Sequence, residues 1–140
     1  MIGMDLYRVL SSNTAITDIV QDRIYPCNAR ETELKDGCII YRIGSPTIPD
    51  TYEEGSISLA NISFTVSCIA NSYAKSQALY KTVFAYLTDY SDDYFEGIKY
   101  ENSVNEDSFV DPELDTISWY EAEITLRAWF YWKTNTNEEL

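Results

Sequence analysis

The chain has 140 residues, the usual size of one domain, with 23 acidic residues against 10 basic residues and no histidine. A net charge of −13 disfavours binding to nucleic acid, because phosphates are repelled. The absence of histidine excludes Ser-His-Asp and Cys-His catalysis and histidine-ligated metals. We therefore expect a single domain over 1–140, with 133–140 as a frayed tail, and no enzyme activity, cofactor or bound metal.

Two features of the sequence concern the compartment. Cys27, Cys38 and Cys68 form an odd set without a CxxC pair, which favours free and mostly buried thiols. The N-terminus lacks the basic start and apolar region of a signal peptide, and no apolar run reaches the length of a membrane span. These features predict a chain that stays in the cytosol without a membrane partner.

The first half of the chain begins with two short helical patterns, residues 4–10 and 15–20. Pro26 cannot continue a helix, so 24–26 should be extended. Cys38–Ile43 is almost continuously apolar and predicts a buried strand. Turn residues dominate 47–56, which predicts a long hairpin loop. Its few large apolar residues and a proline are candidate interface residues: Ile48, Pro49 and Tyr52.

Residues 58–70 alternate between apolar and polar side chains, which predicts a strand with one buried face. Asn71 and Ser72 are capping residues for a helix that reaches about Asp89. The expected apolar stripe of that helix consists of Ala74, Ala78, Leu79, Val83, Tyr86 and Leu87.

An acidic block, 89–115, carries ten acidic residues and one basic residue. It contains a weak strand pattern at 94–100, and irregular structure is expected from there to residue 113. Part of this block is assigned to an acidic lumen or surface: Asp92, Asp93, Glu96, Glu106 and Asp107. For an isolated charge run, a plain solvated face is the simpler interpretation.

The longest alternating pattern is 117–132, in which Tyr120, Phe130 and the even-numbered residues between them share one face. Trp119 and Trp129 lie among charged residues on the other face, a mixture typical of protein interfaces. The element order predicts an α+β fold, a mostly antiparallel sheet of about four strands with helices on one face and long loops between strands.

Two alternatives from other functional classes follow from the acids. Glu121 and Glu123 lie two residues apart on one strand face and are candidate ligands of a metal-dependent hydrolase, although no lysine follows them as in restriction-type nucleases. An exposed ion pair or plain solubility explains such a pair more simply. The charge of −13 also fits an acidic mimic of DNA that inhibits a nucleic-acid-binding enzyme.

The chain resembles the tail completion, or tail-to-head joining, proteins of long-tailed bacteriophages, which are related in role to tail terminators. The resemblance covers nearly the whole length and depends on the order of its parts more than on any one motif. Family members often have glycine at the position of Gln21. Four stretches carry the resemblance: 6–10 with 15–26; 39–43; 64–70 running into 72–79; and 119–130.

The resemblance implies a structural protein that forms a ring, commonly a hexamer, at the head-proximal end of the tail tube. Such a ring ends the tube and joins it to the head connector or stopper protein, while DNA passes through the lumen without specific binding. The implied partners are copies of the chain, the tail tube protein and the connector. The implied location is the host cytoplasm during assembly and the head-tail junction of a siphovirus or prophage virion afterwards.

Overall fold

The structure is a computed structural model that describes residues 2–27, 37–44, 57–92, 95–111 and 116–133. Its helices are α1 (Ile2–Ser11), α2 (Thr14–Val20) and α3 (Tyr73–Leu87). Its strands are β1 (Ile24–Pro26), β2 (Cys38–Ile43), β3 (Ile57–Ala70), β4 (Phe95–Asp111) and β5 (Thr116–Lys133).

The described strands form one sheet in the order β1-β2-β3-β5-β4. Only β1 and β2 are parallel, and the other neighbouring pairs are antiparallel. The expected α+β class with a mostly antiparallel sheet is confirmed. The expected count of about four strands is too low, because the three-residue β1 also pairs into the sheet.

The three described helices pack on the same face of the sheet. In β3, Ile62, Phe64 and Val66 are buried on that face, as the alternation predicts. The antiparallel register places Phe64 opposite Leu126 and Val66 opposite Ile124, so two strands supply matching apolar rows. The helices complete this core with Leu6, Val9, Leu10, Ile16, Val20, Leu79, Val83 and Leu87.

A second, smaller apolar cluster lies on the opposite face. Cys38 and Ile40 of β2 and Ile69 of β3 are buried there, with Tyr25 and Trp119 packed against them. The last residues of β3 are therefore buried on both faces, which the simple alternation of a half-buried strand does not predict.

Helix α3 begins where the capping residues predict, because the Ser72 side chain accepts the Lys75 N–H at 3.2 Å. The predicted apolar stripe of this helix is only partly correct, since Ala74 and Ala78 are exposed. Ser76 is buried in their place, and its hydroxyl donates to the Cys68 carbonyl at 3.0 Å. A satisfied serine thus faces the sheet, which a reading of apolar residues alone cannot anticipate.

The acidic block does not become irregular after residue 100, as the sequence pattern indicated. β4 continues to Asp111 and pairs with β5 along most of its length. The register shifts three times, at Phe95/Gly97, Tyr100/Val104 and Phe109/Val110. The first and third shifts each add one residue to one strand and move the following side chains of β4 to the other face, whereas the middle shift adds two residues to β4. The regular alternation that marks a strand is therefore lost.

The junction between α2 and β1 is a tight turn around Gln21. The Arg23 N–H donates to the Val20 carbonyl at 2.9 Å, and Gln21 has φ 56° and ψ −118°. These angles are those of the first central residue of a type II′ turn, a position that favours glycine. The Arg23 side chain stabilises the junction by donating to the carbonyls of Ile19 and Gly37, at 3.3 and 2.8 Å.

Replacing Gln21 by glycine is expected to stabilise the fold, because glycine adopts this positive-φ backbone conformation without the strain that an L side chain adds. We expect Gln21→Gly to raise the free energy of unfolding by about 1 kcal/mol in urea titration. The control is Asp22→Gly in the same turn, where φ is not positive, and this change should lower stability by about 0.5–1 kcal/mol. Equal losses from both substitutions would contradict the assignment.

The three thiols should differ in reactivity, because Cys38 and Cys68 are fully buried and Cys27 is exposed. The expectation of buried thiols thus holds for two of the three. Burial raises the pKa of Cys68, which further suppresses its thiolate. Ellman's reagent at neutral pH should label one thiol rapidly in the native protein and all three in denaturant. Rapid labelling that persists in Cys27→Ser would contradict this arrangement.

Candidate functional site

Several of the candidate contact residues lie outside the described part of the chain. These are Ile48, Pro49, Tyr52 and Asp93, and the side chain of Glu96 is also not described although its backbone belongs to β4. Their assignment to an interface or an acidic surface remains a prediction from the sequence.

Trp119 and Trp129 occupy the face of β5 that the helices leave uncovered, but they are not neighbours. They are ten residue steps apart along the extended strand, which corresponds to about 33 Å. Trp119 is half-buried against the small cluster around Ile69, so part of its ring stabilises the fold. Trp129 is half-buried and lies opposite Gly97 of β4, where the glycine has no side chain to pack beside the indole.

Asp92 connects three parts of the chain. One carboxylate oxygen accepts the Tyr90 hydroxyl at 2.7 Å and an Arg8 N–H at 3.3 Å, and the other accepts the Phe95 N–H at 2.8 Å. Burial, together with the hydrogen bond to Asp92, raises the pKa of Tyr90 to about 12, so the hydroxyl stays protonated as a donor. Asp92 therefore links α1 to the start of β4 in addition to carrying surface charge.

Glu106 and Asp107 are exposed near the far end of β4. The Glu106 carboxylate accepts Gln77 Nε2 at 2.8 Å and the Tyr73 hydroxyl at 3.2 and 3.4 Å. Its charge is the main reason that the pKa of Tyr73 is raised. The Asp107 carboxylate accepts the N–H of Ser108 at 2.8 Å.

These residues border an open cavity of about 290 Å³, which we call the tyrosine–carboxylate cavity. The rings of Tyr73 and Tyr120 meet edge to face with centroids 5.7 Å apart. The sequence pattern indicates the acids, but it predicts Tyr120 to be a core residue and gives no role to Tyr73. The lining residues are Tyr73, Glu106, Asp107, Ser108 and Tyr120.

The acids predicted to form one surface are divided between two places. Phe95, whose N–H binds Asp92, is opposite Phe130, whereas Glu106 is opposite Ala122. These two positions of β5 are eight residue steps apart, about 26 Å of extended chain. The start of β4 and the tyrosine–carboxylate cavity are therefore separate sites.

The uncovered face of β5 carries both signs of charge. Glu121 and Glu123 lie two residues apart on it, and the Ser67 hydroxyl donates to the Glu123 carboxylate at 3.4 Å. Arg127 follows on the same face and donates to the side-chain oxygen of Asn61. Among the described residues, no group of three or more Cys, Asp or Glu side chains is placed to hold a metal ion. No described helix is long and apolar enough to cross a membrane.

Comparison with known proteins finds a shared fold. No protein-family model and no curated protein sequence matches this chain. Among solved structures, the chain is similar to one from the virion of a native gene transfer agent particle, with a TM-score of 0.61. The match covers 90% of this chain and 91% of that chain at 14% sequence identity. The two proteins therefore share one architecture over nearly their whole lengths.

Removing the carboxylate of Asp92 should destabilise the protein, because three hydrogen bonds lose their acceptor: one from Arg8 of α1 and two within the turn that leads into β4. We expect Asp92→Ala to lower the free energy of unfolding by about 1–3 kcal/mol, measured in urea. Asp18→Ala on the exposed surface of α2 removes the same charge and should change stability by less than about 0.5 kcal/mol. If the two variants have the same free energy of unfolding, Asp92 does not hold α1 to β4.

Proposed function

We propose that this protein is a structural component of a phage-like virion that ends the tail tube at its head-proximal end and joins it to the head connector. The observation that carries the proposal is the shared fold with a chain of a gene transfer agent virion over 90% of this chain. The ordered resemblance of four stretches to tail completion proteins supports the same role on separate grounds.

The proposed assembly is a ring of copies, commonly six, through which DNA passes without specific binding. The charge supports this, because 23 acids against 10 bases make a wall that repels phosphates. Repulsion prevents passing DNA from adhering, which suits a conduit. The protein would have no catalytic activity, would be assembled in the host cytoplasm and would lie at the head-tail junction of the finished particle.

The proposed contacts with neighbouring copies, tail tube protein and connector involve the loop 46–57, part of 89–115 and the two tryptophans on the uncovered face of β5. Trp119 and Trp129 lie about 33 Å apart along that strand, enough to reach two different neighbours. The loop carries Ile48 and Tyr52, large side chains of the kind that dominate binding energy at protein interfaces.

Electron microscopy of a phage or prophage with this gene disrupted tests the role. We expect filled heads beside separate tails, some of them overlong, because nothing ends the tube or joins it to the head. Complementation with the intact gene should restore joined particles. Normal joined virions from the disrupted strain would refute the role and make the acidic DNA mimic the leading hypothesis.

Complementation with Ile48→Ala/Tyr52→Ala tests the loop contribution in the same system. The double variant should give fewer joined particles, because it removes the large apolar contacts of the loop. Tyr7→Ala is the control, since Tyr7 is an exposed aromatic residue of α1 outside the proposed contacts. Full joining with the loop variant would remove the loop from the interface while leaving the overall role intact.

A further inference from the structure

The tyrosine–carboxylate cavity has the composition of a site for a cationic side chain. We propose that it receives an arginine side chain from a different protein. The cavity lies between the first turns of α3, which carry Tyr73, and the exposed stretch of β4 that carries Glu106 and Asp107. The identity of the partner, a neighbouring protein of the particle, rests on the proposed function, whereas the chemistry of the cavity does not.

The negative charge of the cavity is not neutralised within the described chain. The hydrogen-bond donors to Glu106 are a neutral amide, Gln77, and a neutral hydroxyl, Tyr73. Asp107 accepts only a backbone N–H. The ion pairs between described residues involve Arg8 with Asp5 and Arg8 with Asp92, both at other places. Among the described residues, no cation therefore lies beside either carboxylate, and the raised pKa of Tyr73 reflects the charge of Glu106.

The aromatic rings add a second reason to expect a cation. Tyr73 is 52% exposed, so its ring is available to a ligand. A guanidinium group stacks on an aromatic face and at the same time donates two parallel N–H groups to a carboxylate. The tyrosine pair beside the Glu106 carboxylate offers both interactions within one cavity, whereas the side chain of Asp107, which is opposite Glu121, points to the other face of β4. Lysine has a compact ammonium group that cannot make the bidentate contact, so arginine fits better.

The cavity is also arranged before any ligand arrives. Gln77 and Tyr73 both come from the beginning of α3 and restrict the Glu106 carboxylate to one position. Ordering a carboxylate in advance lowers the entropy lost on binding. The charge of the whole chain favours a different protein over a second copy, because a copy brings 23 acids and only 10 bases toward an acidic cavity.

The test is a titration of the full-length protein, labelled with ¹⁵N, with the blocked tripeptide acetyl-Gly-Arg-Gly-amide. Amide signals of Glu106, Asp107 and Ser108 should shift and saturate. The peptide with citrulline in place of arginine has the same shape without the charge and should bind about tenfold more weakly or not at all. Equal binding of the two peptides would overturn the proposal.

A matched pair of variants locates the effect. Glu106→Gln/Asp107→Asn should weaken binding of the arginine peptide by at least about tenfold, whereas Asp18→Asn/Asp22→Asn, which removes two exposed acids elsewhere, should leave it unchanged. Unshifted signals in the rest of the spectrum establish that each variant is folded. Tyr73→Phe, which keeps the ring, provides a second folded test and should retain the ring stacking. Equal weakening by both double variants would indicate general charge attraction and overturn the site.

Sedimentation velocity of the unmodified protein and of Glu106→Gln/Asp107→Asn identifies the source of the arginine. We expect the same sedimentation behaviour for both, because the occupant is a different protein. Loss of self-association in the variant would assign the cavity to a second copy and refute this part of the proposal. Neither measurement depends on tail joining, so gene disruption and peptide binding can fail independently.

Discussion

The pairing of β3 with β5 is the constraint on which the rest of the structure depends. Fourteen residues of each strand are in antiparallel register, and this pair occupies the middle of the sheet. Because side chains alternate, a slip of β5 by one residue would turn Leu126 and its row out of the core while Phe64 stayed in it. The helices can cover one continuous apolar face only if the apolar rows of the two strands lie on the same side of the sheet. β2 then adds to one side of the pair and β4 to the other, which sets the positions of the two outer regions of the molecule.

Much of this framework could be predicted because its strands follow simple rules. β3 and β5 are long and alternate regularly, and the start of α3 has a clear serine cap. β4 could not be predicted in full, since its bulges destroy the alternation and its acids lower its apparent strand propensity. β4 is stabilised by its pairing with β5, and a local sequence pattern does not reveal a pairing with another strand.

The candidate site was predictable in composition but not in geometry. The sequence identifies acidic residues between 89 and 115, yet it does not reveal that Asp92 is engaged with α1 while Glu106 lies at the other end of β4. Tyr73 and Tyr120 are 47 positions apart in the chain, and only the packing of α3 against β5 brings their rings together. Tyr120 lines the cavity because of this tertiary contact, whereas the local alternation alone predicts that it is a core residue.

The two outer strands of the sheet are very different, and this has a consequence for the purified protein. β1 has three residues and ends at Pro26, which has no N–H to offer, whereas β4 has 17 residues. A copy that presented β1 to the β4 of another would satisfy little of the longer edge, and two β4 edges would bring Glu106 and Asp107 of both copies together. In β4, the Ser108 N–H already donates to the Asp107 carboxylate, so it is not available to another strand. The described edges therefore oppose growth into an endless ribbon, so concentrated protein should remain in closed, finite species rather than fibres.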